Sequence, residues 1–248
     1  MSDLDGRTAL VTGGASGIGA ACARALAQRG ATVTVADLDE GGATKIADEI
    51  GGKPWAVDLS DVSALGDLEL EADILVNNAG VQHVSPIAEF PPERFRFILA
   101  LMLEAPFLLI RAALPHMYDQ DFGRIINISS VHGLRASEFK CGYVTAKHGL
   151  EGLSKVTALE GGPHGVTSNC VDPGYVRTPL VTKQIADQAR RHGIDEDKVI
   201  SEILLKESVI KRLVEPEEVA SLVTWLASPT AAMVTGASYT MDGGWSAR

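Results

Sequence analysis

Thr8-Ala9-Leu10-Val11-Thr12-Gly13-Gly14-Ala15-Ser16-Gly17-Ile18-Gly19 decides the fold. A short apolar run passes straight into a glycine-rich turn, and the turn opens a helical pattern, Gly17 to Gln28. Glycines permit a tight turn and let backbone N–H groups approach a pyrophosphate, while the helix N-terminus adds partial positive charge. Such a cluster is also found in ordinary turns, so a second residue has to separate the two readings. Asp37 does so. It ends the next apolar run, eighteen residues after Gly19, close to the ~20 at which a carboxylate meets an adenosine ribose. A carboxylate there accepts from a 2′-hydroxyl and repels a 2′-phosphate. No Arg or Lys stands at Ala15, Ser16, Leu38 or Asp39, so NAD is favoured over NADP.

The rhythm continues along the chain. The runs Thr32–Val35, Trp55–Val57, Ile74–Val76, Arg124–Ile128, Val166–Val171 and Ser238–Met241 alternate with helical patterns at Gly41–Ile50, Pro92–Met117, Tyr143–Leu159 and Pro216–Leu226. Several runs are apolar on both faces, as strands covered on both sides are. The expected fold is α/β: one Rossmann-type, doubly wound parallel sheet in a single domain over 1–248. The segment from about 180 to 213 breaks the alternation. It is charged and has its own helical periodicity, and it follows a strand late in the chain, where a lid over a site is expected.

Composition narrows the partners. Of the 248 residues 46% are hydrophobic and 22% charged, and Lys+Arg 22 against Asp+Glu 32 gives a net charge of −10. Nucleic acid and anionic membranes select basic surfaces, so neither is expected. Cys22, Cys141 and Cys170 are scattered and odd in number, which fits a reducing compartment. The first residues have no signal-peptide pattern. The most apolar stretch, Phe97–Ile110, is interrupted by Glu104 and Pro106 and is short against the ~20 residues of a membrane span. A cytoplasmic protein is expected. The histidines and cysteines show no metal-ligand spacing, so no metal site is expected.

Tyr143 and Lys147 are i and i+4 on one helix face, and Ser130 ends the preceding strand. A free tyrosine titrates near ~10, and a neighbouring ammonium favours its phenolate. A Tyr-x3-Lys pair is common on helices, and it gains meaning here from the nucleotide motif upstream.

Taken in order, Thr12-Gly13-x3-Gly17-x-Gly19, Asn77-Asn78-Ala79-Gly80, Ser130 with Tyr143-x3-Lys147, and Pro173-Gly174 followed by Thr178 resemble the short-chain dehydrogenase/reductase family over nearly the whole chain. The resemblance implies a dinucleotide site formed by Thr12, Gly13, Ser16, Gly17, Ile18, Gly19, Asp37, Asp58, Leu59, Asn78, Ala79, Gly80, Tyr143, Lys147, Pro173, Val176 and Thr178. In it Asp58 approaches the adenine, Asn78 the adenosine ribose and Lys147 the nicotinamide ribose, while Val176 and Thr178 meet the carboxamide. Tyr143 becomes the acid/base and Ser130 polarises the substrate oxygen.

A narrower likeness lies on the substrate side. Val81-Gln82-His83, Ser130-Val131-His132-Gly133-Leu134, Phe139-Lys140, Thr178-Pro179-Leu180-Val181-x-Lys183-Gln184-Ile185 and the ending from Asp242 to Arg248 are similar to bacterial D-3-hydroxybutyrate dehydrogenases. It implies a substrate site of Gln82, Ser130, His132, Lys140, Tyr143 and Gln184, in which Gln82, His132, Lys140 and Gln184 bind a small carboxylate. It also implies oxidation of (R)-3-hydroxybutyrate with NAD, and a homotetramer. Two other readings stand beside it: a dehydrogenase of another small alcohol or sugar, and a catalytically weak NAD-binding protein. The second comes from a departure, because Met102 stands where the family carries a catalytic Asn. There the Asn holds a break in the helix, whose freed carbonyl binds a proton-relay water. Pro106, four residues on, is expected to free the Met102 carbonyl by another route, since proline has no N–H. The stretch from Asp58 to Asn77 is short by about one helix relative to the family, and Tyr175 replaces a larger Trp frequent in relatives.

Overall fold

The computed structural model describes residues 3–247, apart from the side chains of Leu180, Lys183, Asp187, Arg191 and His192. Seven parallel strands form one sheet: β1 (Thr8–Thr12), β2 (Thr32–Asp37), β3 (Lys53–Ala56), β4 (Ile74–Asn77), β5 (Gly123–Ile128), β6 (Val166–Pro173) and β7 (Ser238–Met241), in spatial order β3-β2-β1-β4-β5-β6-β7. The chain leaves β1 in one direction towards β3 and resumes from β4 in the other. The carboxyl ends of β1 and β4 therefore flank the switch point, where doubly wound sheets form their crevice. The expected fold is borne out, and the apolar runs are the strands. Every residue of β4, β5 and β6 is buried, because helices cover both faces.

The helices are α1 (Gly17–Gln28), α2 (Glu40–Ile50), α3 (Pro92–Leu99), α4 (Ala105–Asp119), α5 (Cys141–Gly161), α6 (Pro179–His192), the single turn α7 (Glu196–Lys198) and α8 (Pro216–Ala227). On one face α1 packs against α8 over Val11, Val33, Val35 and Val76. On the other, α4 covers Leu10, Leu75 and Ile125 with Leu109, Ala113 and Met117. Between Asp58 and Asn77 the helix is reduced to a 3₁₀ turn, Val62–Leu65, whose Leu65 still reaches the core.

The run Pro92–Asp119 is long and apolar enough, by length and composition, to cross a membrane. This corrects the expectation drawn from Phe97–Ile110: α3 and α4 join end to end into one 28-residue run. It lies against the sheet and α5, burying Ile98, Met102, Ala105 and Leu109. The join is a π-helical turn, Ala100–Glu104, in which the Ala105 N–H bonds back to Ala100 O. Pro106 follows directly in the first turn of α4.

The segment after β6 folds on itself. Ile185, Val199, Leu204, Leu205 and Leu213 form a separate small core. It includes a second π turn, Val199–Leu204, where the Leu205 N–H reaches Ile200 O. Its α6 starts on Thr178, whose hydroxyl accepts from the Val181 N–H.

Candidate active site

Two adjoining cavities open at the carboxyl edge of the sheet. The larger, about 480 Å³, runs from Asp37 to Lys147. Fifteen of the residues expected to hold a dinucleotide line it: Gly13, Ser16, Gly17, Ile18, Asp37, Asp58, Leu59, Asn78, Ala79, Gly80, Tyr143, Lys147, Pro173, Val176 and Thr178. Thr12 and Gly19 do not line it. Thr12 is buried, and its hydroxyl accepts from the Asn78 and Ala79 N–H groups and donates to Val76 O. It holds the β4 loop in place from behind. Gly19 lets the turn pass over the helix, since a Cβ there would lie 2.1 Å from Gly13 O.

The turn fits a dinucleotide on physical grounds. Gly13 and Gly17 have φ of 62° and 52°, the left-handed region glycine enters without steric cost. Ser16 caps α1 in sequence position, yet its side chain makes no capping bond, so the first N–H groups of the helix stay available for an anion. At the other end, Asp37 Oδ2 accepts from the Ala15 N–H at 3.0 Å and Oδ1 from the Asp39 N–H at 3.0 Å. These bonds fix the carboxylate at the lip of the cleft. Among the described residues lining this cavity Lys147 is the one cation, and it lies at the far end.

The smaller cavity, about 380 Å³, brings together the polar set expected to bind substrate: Gln82, Ser130, His132, Lys140, Tyr143 and Gln184. Ser130 and Tyr143 line both cavities and so stand at the join between them. Ser130 Oγ accepts from the His132 N–H at 3.2 Å and lies 3.4 Å from His132 Nδ1, and His132 Nε2 is 2.8 Å from Ser137 Oγ. Burial, with smaller contributions from Lys140 and His148, pushes His132 down to about 4. It is therefore a neutral hydrogen-bonding group at ordinary pH.

Lys140 precedes α5 and follows Phe139, which is held at φ 66°. Its ammonium is 5.7 Å from the Tyr175 ring centroid, and no carboxylate of the described residues pairs with it. Burial lowers its pKa. A half-buried ammonium with no carboxylate partner among the described residues, beside neutral donors, is the chemistry that binds a carboxylate. Gln184 comes from α6, and Val181, Ile203 and Leu204 of the same segment close that side of the cavity.

Lys147 donates to Ile128 O at 2.6 Å and stands 5.7 Å from the Tyr143 ring centroid. Burial pushes it down to about 8. The phenol of Tyr143 is also raised by burial. A hydrogen bond with Ser130 works against that, and Tyr175 adds to it. With the chain's own groups alone, desolvation outweighs the help expected from the lysine.

Several lining residues had no sequence signal of their own. Trp245 stacks towards His132, centroids 5.9 Å apart, because Gly243 and Gly244 turn the tail at φ 63° and 83°. Two adjacent glycines before an aromatic residue were the only hint. Lys206 and Ser137 also line the smaller cavity, and no spacing marks them.

Comparison with known proteins agrees with this geometry. A family model described as Enoyl-(Acyl carrier protein) reductase matches residues 13–246. The chain is 46% identical to a D-beta-hydroxybutyrate dehydrogenase of Rhizobium meliloti (98% of this chain, 99% of the relative) and 44% identical to one of Cupriavidus necator (99% and 100%). A solved structure from Agrobacterium tumefaciens with bound NADP, assigned as a 2-deoxy-D-gluconate 3-dehydrogenase, superposes with a TM-score of 0.87 at 31% identity, covering 99% of this chain and 98% of that one. The sheet order, the glycine turn and the Ser130, Tyr143, Lys147 group thus accompany likeness over the full length, and the chain belongs to the short-chain dehydrogenase/reductase family of oxidoreductases.

Proposed function

We propose that the protein oxidises a small 3-hydroxy acid with NAD, with (R)-3-hydroxybutyrate and acetoacetate as the substrate pair. The observation that carries this reading is the smaller cavity. Lys140, unpaired, is ringed there by Gln82, His132 and Gln184, with Ser130 and Tyr143 at the join to the larger one. A carboxylate seated on Lys140 leaves a hydroxyl two carbons away to face Ser130 and Tyr143. The names of the two hydroxybutyrate dehydrogenases support the same choice.

In this reading the glycine turn takes the pyrophosphate and Asp37 the adenosine ribose. Asp58 and Leu59 border the adenine. Asn78 lies by the adenosine ribose with Ala79 and Gly80 beside it, and Lys147, Pro173, Val176 and Thr178 hold the nicotinamide half. Bound there, the dinucleotide supplies the hydride acceptor. Tyr143 takes the proton of the substrate hydroxyl, and Ser130 holds the reacting oxygen. Lys147 offers the positive charge that favours the Tyr143 phenolate. The segment 180–213 acts as a lid, and Gln184 couples its closure to substrate contact.

The test is NADH formation from short 3-hydroxy acids of both configurations, with NAD and with NADP. Turnover of (R)-3-hydroxybutyrate with NAD is expected. Preference for an uncharged alcohol or a sugar would replace the reading with that class of substrate.

A further inference from the structure

Beneath Lys147 lies a pair of acids that the reaction above does not use. Glu151 follows Lys147 by four residues and Tyr143 by eight, so the three share a face of α5. Asp172 comes from β6, beside Ser129, whose N–H bonds to Val171 O. Glu151 and Asp172 are 4% and 0% exposed, and their carboxyls are hydrogen-bonding neighbours. Ser238 Oγ of β7 donates to Glu151 Oε2 at 2.6 Å. Glu151 Oε1, both oxygens of Asp172 and Ser129 Oγ are buried with no partner at hydrogen-bond geometry, and the Ser129 hydroxyl is a neighbour of both acids. No side chain enters from the Gly133 side, because a Cβ there would lie 2.5 Å from Ser129 Oγ and 3.0 Å from Glu151 Oε1.

The charge state follows from what is present. Two ionised carboxylates side by side, with only the Ser238 and Ser129 hydroxyls as donors, repel each other in a medium that screens poorly. Two neutral acids leave Lys147, itself 4% exposed, as a buried cation with no counter-charge. The titratable groups facing Lys147 are Tyr143 and Glu151 on α5 and Cys170 and Asp172 on β6. Burial drives the Cys170 thiol far up, with the neighbouring carboxylates adding to it, so it stays neutral. The counter-charge has to come from the acid pair.

We propose that Glu151 and Asp172 hold one proton between them and act together as the single-charge counter-ion that positions and keeps charged the ammonium of Lys147. The shared O–H gives the orphaned oxygens a donor, and one negative charge remains for the lysine. Directions of titration agree: burial and then Glu151 raise Asp172. For Glu151 the raising effect of burial is outweighed by the lowering effect of the neighbouring Asp172, Ser129 and Ser238 groups. On these directions Asp172 is the more readily protonated partner of the pair. The inference rests on the reading of Lys147 and Tyr143 given above, and not on the identity of the substrate.

An amide mimics the protonated partner, and this makes the test sharp. Glu151→Gln and Asp172→Asn each leave one ionised carboxylate, whereas the double variant leaves none. Lys147 is followed by NMR in protein labelled with 13C at the lysine Cε, its signal assigned with Lys147→Arg. Both single variants should titrate with the wild type, and the double should titrate about 1–3 pH units lower. Infrared spectra at neutral pH should show a buried protonated-carboxyl band in the wild type that is absent from each single variant. Single variants that lower the Lys147 titration part of the way towards the double would mean two charges and overturn the proposal. A double variant that leaves it unmoved would mean none, with the same consequence. If the double does not fold, persistence of the infrared band in either single variant overturns the proposal and its loss supports it. Neither measurement uses a hydroxy acid, so a wrong substrate and a wrong acid pair give separable results.

Discussion

Lys147 Nζ donates to Ile128 O at 2.6 Å, which ties the helix that carries Tyr143 to the end of the strand that leads to Ser130. One bond thus sets the spacing of the three groups at the join of the two cavities. Lys147→Met keeps the bulk and removes both this bond and the charge. With no cation beside the phenol, the Tyr143 proton is retained to higher pH. The rising limb of the pH–rate profile should move to higher pH and kcat should fall by about 10²-fold or more. An unshifted profile in Lys147→Met would remove the lysine from the acid/base step.

Cofactor choice turns on Asp37. Its two oxygens are held by the Ala15 and Asp39 N–H groups, so it cannot swing away from a 2′-phosphate. NAD should be preferred over NADP by a large factor, and Asp37→Ala should mainly relax that preference. The measurement is kcat/KM with each cofactor. Equal efficiency of the wild type with both would sink the assignment, and binding of NADP by the Agrobacterium tumefaciens relative makes the comparison worth running first.

Much of this was legible in the sequence, for a physical reason. Glycine turns and strand-end carboxylates are local, so Gly13, Ser16, Gly17 and Asp37 announce themselves by spacing. Fifteen of the expected dinucleotide contacts line one cleft. For Thr12 the structure adds a bracing role, since its hydroxyl bonds Val76 O and the Asn78 and Ala79 N–H groups, which its sequence position does not announce. Lys206 was not legible, and Trp245 was marked only as part of the ending from Asp242 to Arg248 with no role, since both reach the smaller cavity only through the path of the tail and of the segment after β6. The Glu151–Asp172 pair was missed for the same reason: the two residues are distant in sequence and meet only when β6 lies beside α5.

Substrate charge turns on Lys140. Lys140→Ala should weaken binding of a hydroxy acid by about 1.5–3 kcal/mol, the range for a lost hydrogen bond to a charged group. The loss should shrink for the methyl ester, which carries no charge. Gln184→Ala should raise KM and lower kcat together, because its helix belongs to the segment that closes over the cavity. Unchanged kinetics on 3-hydroxybutyrate in both variants would favour an uncharged alcohol or sugar.

His132 gives a signature in stability. Burial pushes it from 6.5 to about 4, so the unfolded chain takes up a proton before the folded one as pH falls. A base with a depressed folded value stabilises the fold fully above the unfolded pKa and loses that contribution as pH drops towards the folded one. Between pH ~6.5 and ~4 the wild type should lose about 3 kcal/mol through this residue. His132→Gln should lack that part of the decline in urea melts across the same window. Parallel pH dependence in the two proteins would show that His132 is not held neutral.

Met102 and Pro106 test whether a missing amide has been replaced by a different device. The helix does break at the expected place: Ala100–Glu104 is a π turn, with the Ala105 N–H on Ala100 O. Pro106, next along, has no N–H. It can serve neither Met102 O in α register nor Leu101 O in π register, so the carbonyls at the break lose a helical donor whichever register is followed. Met102 itself is buried, and its sulfur takes the Val81 N–H at 3.5 Å. The thioether thus fills the site and braces the β4 loop, and the proline supplies the break. On this account Pro106→Ala should let the turn close into continuous α-helix. It should lower kcat several-fold, about 3–10-fold, by covering carbonyls that water needs for proton exchange with Lys147. Met102→Asn should change turnover little, because the break does not depend on an amide. A fully active Pro106→Ala together with a Met102→Asn that gains more than about tenfold in kcat would show the opposite: the proline does not compensate, and the substitution at 102 leaves the natural enzyme impaired.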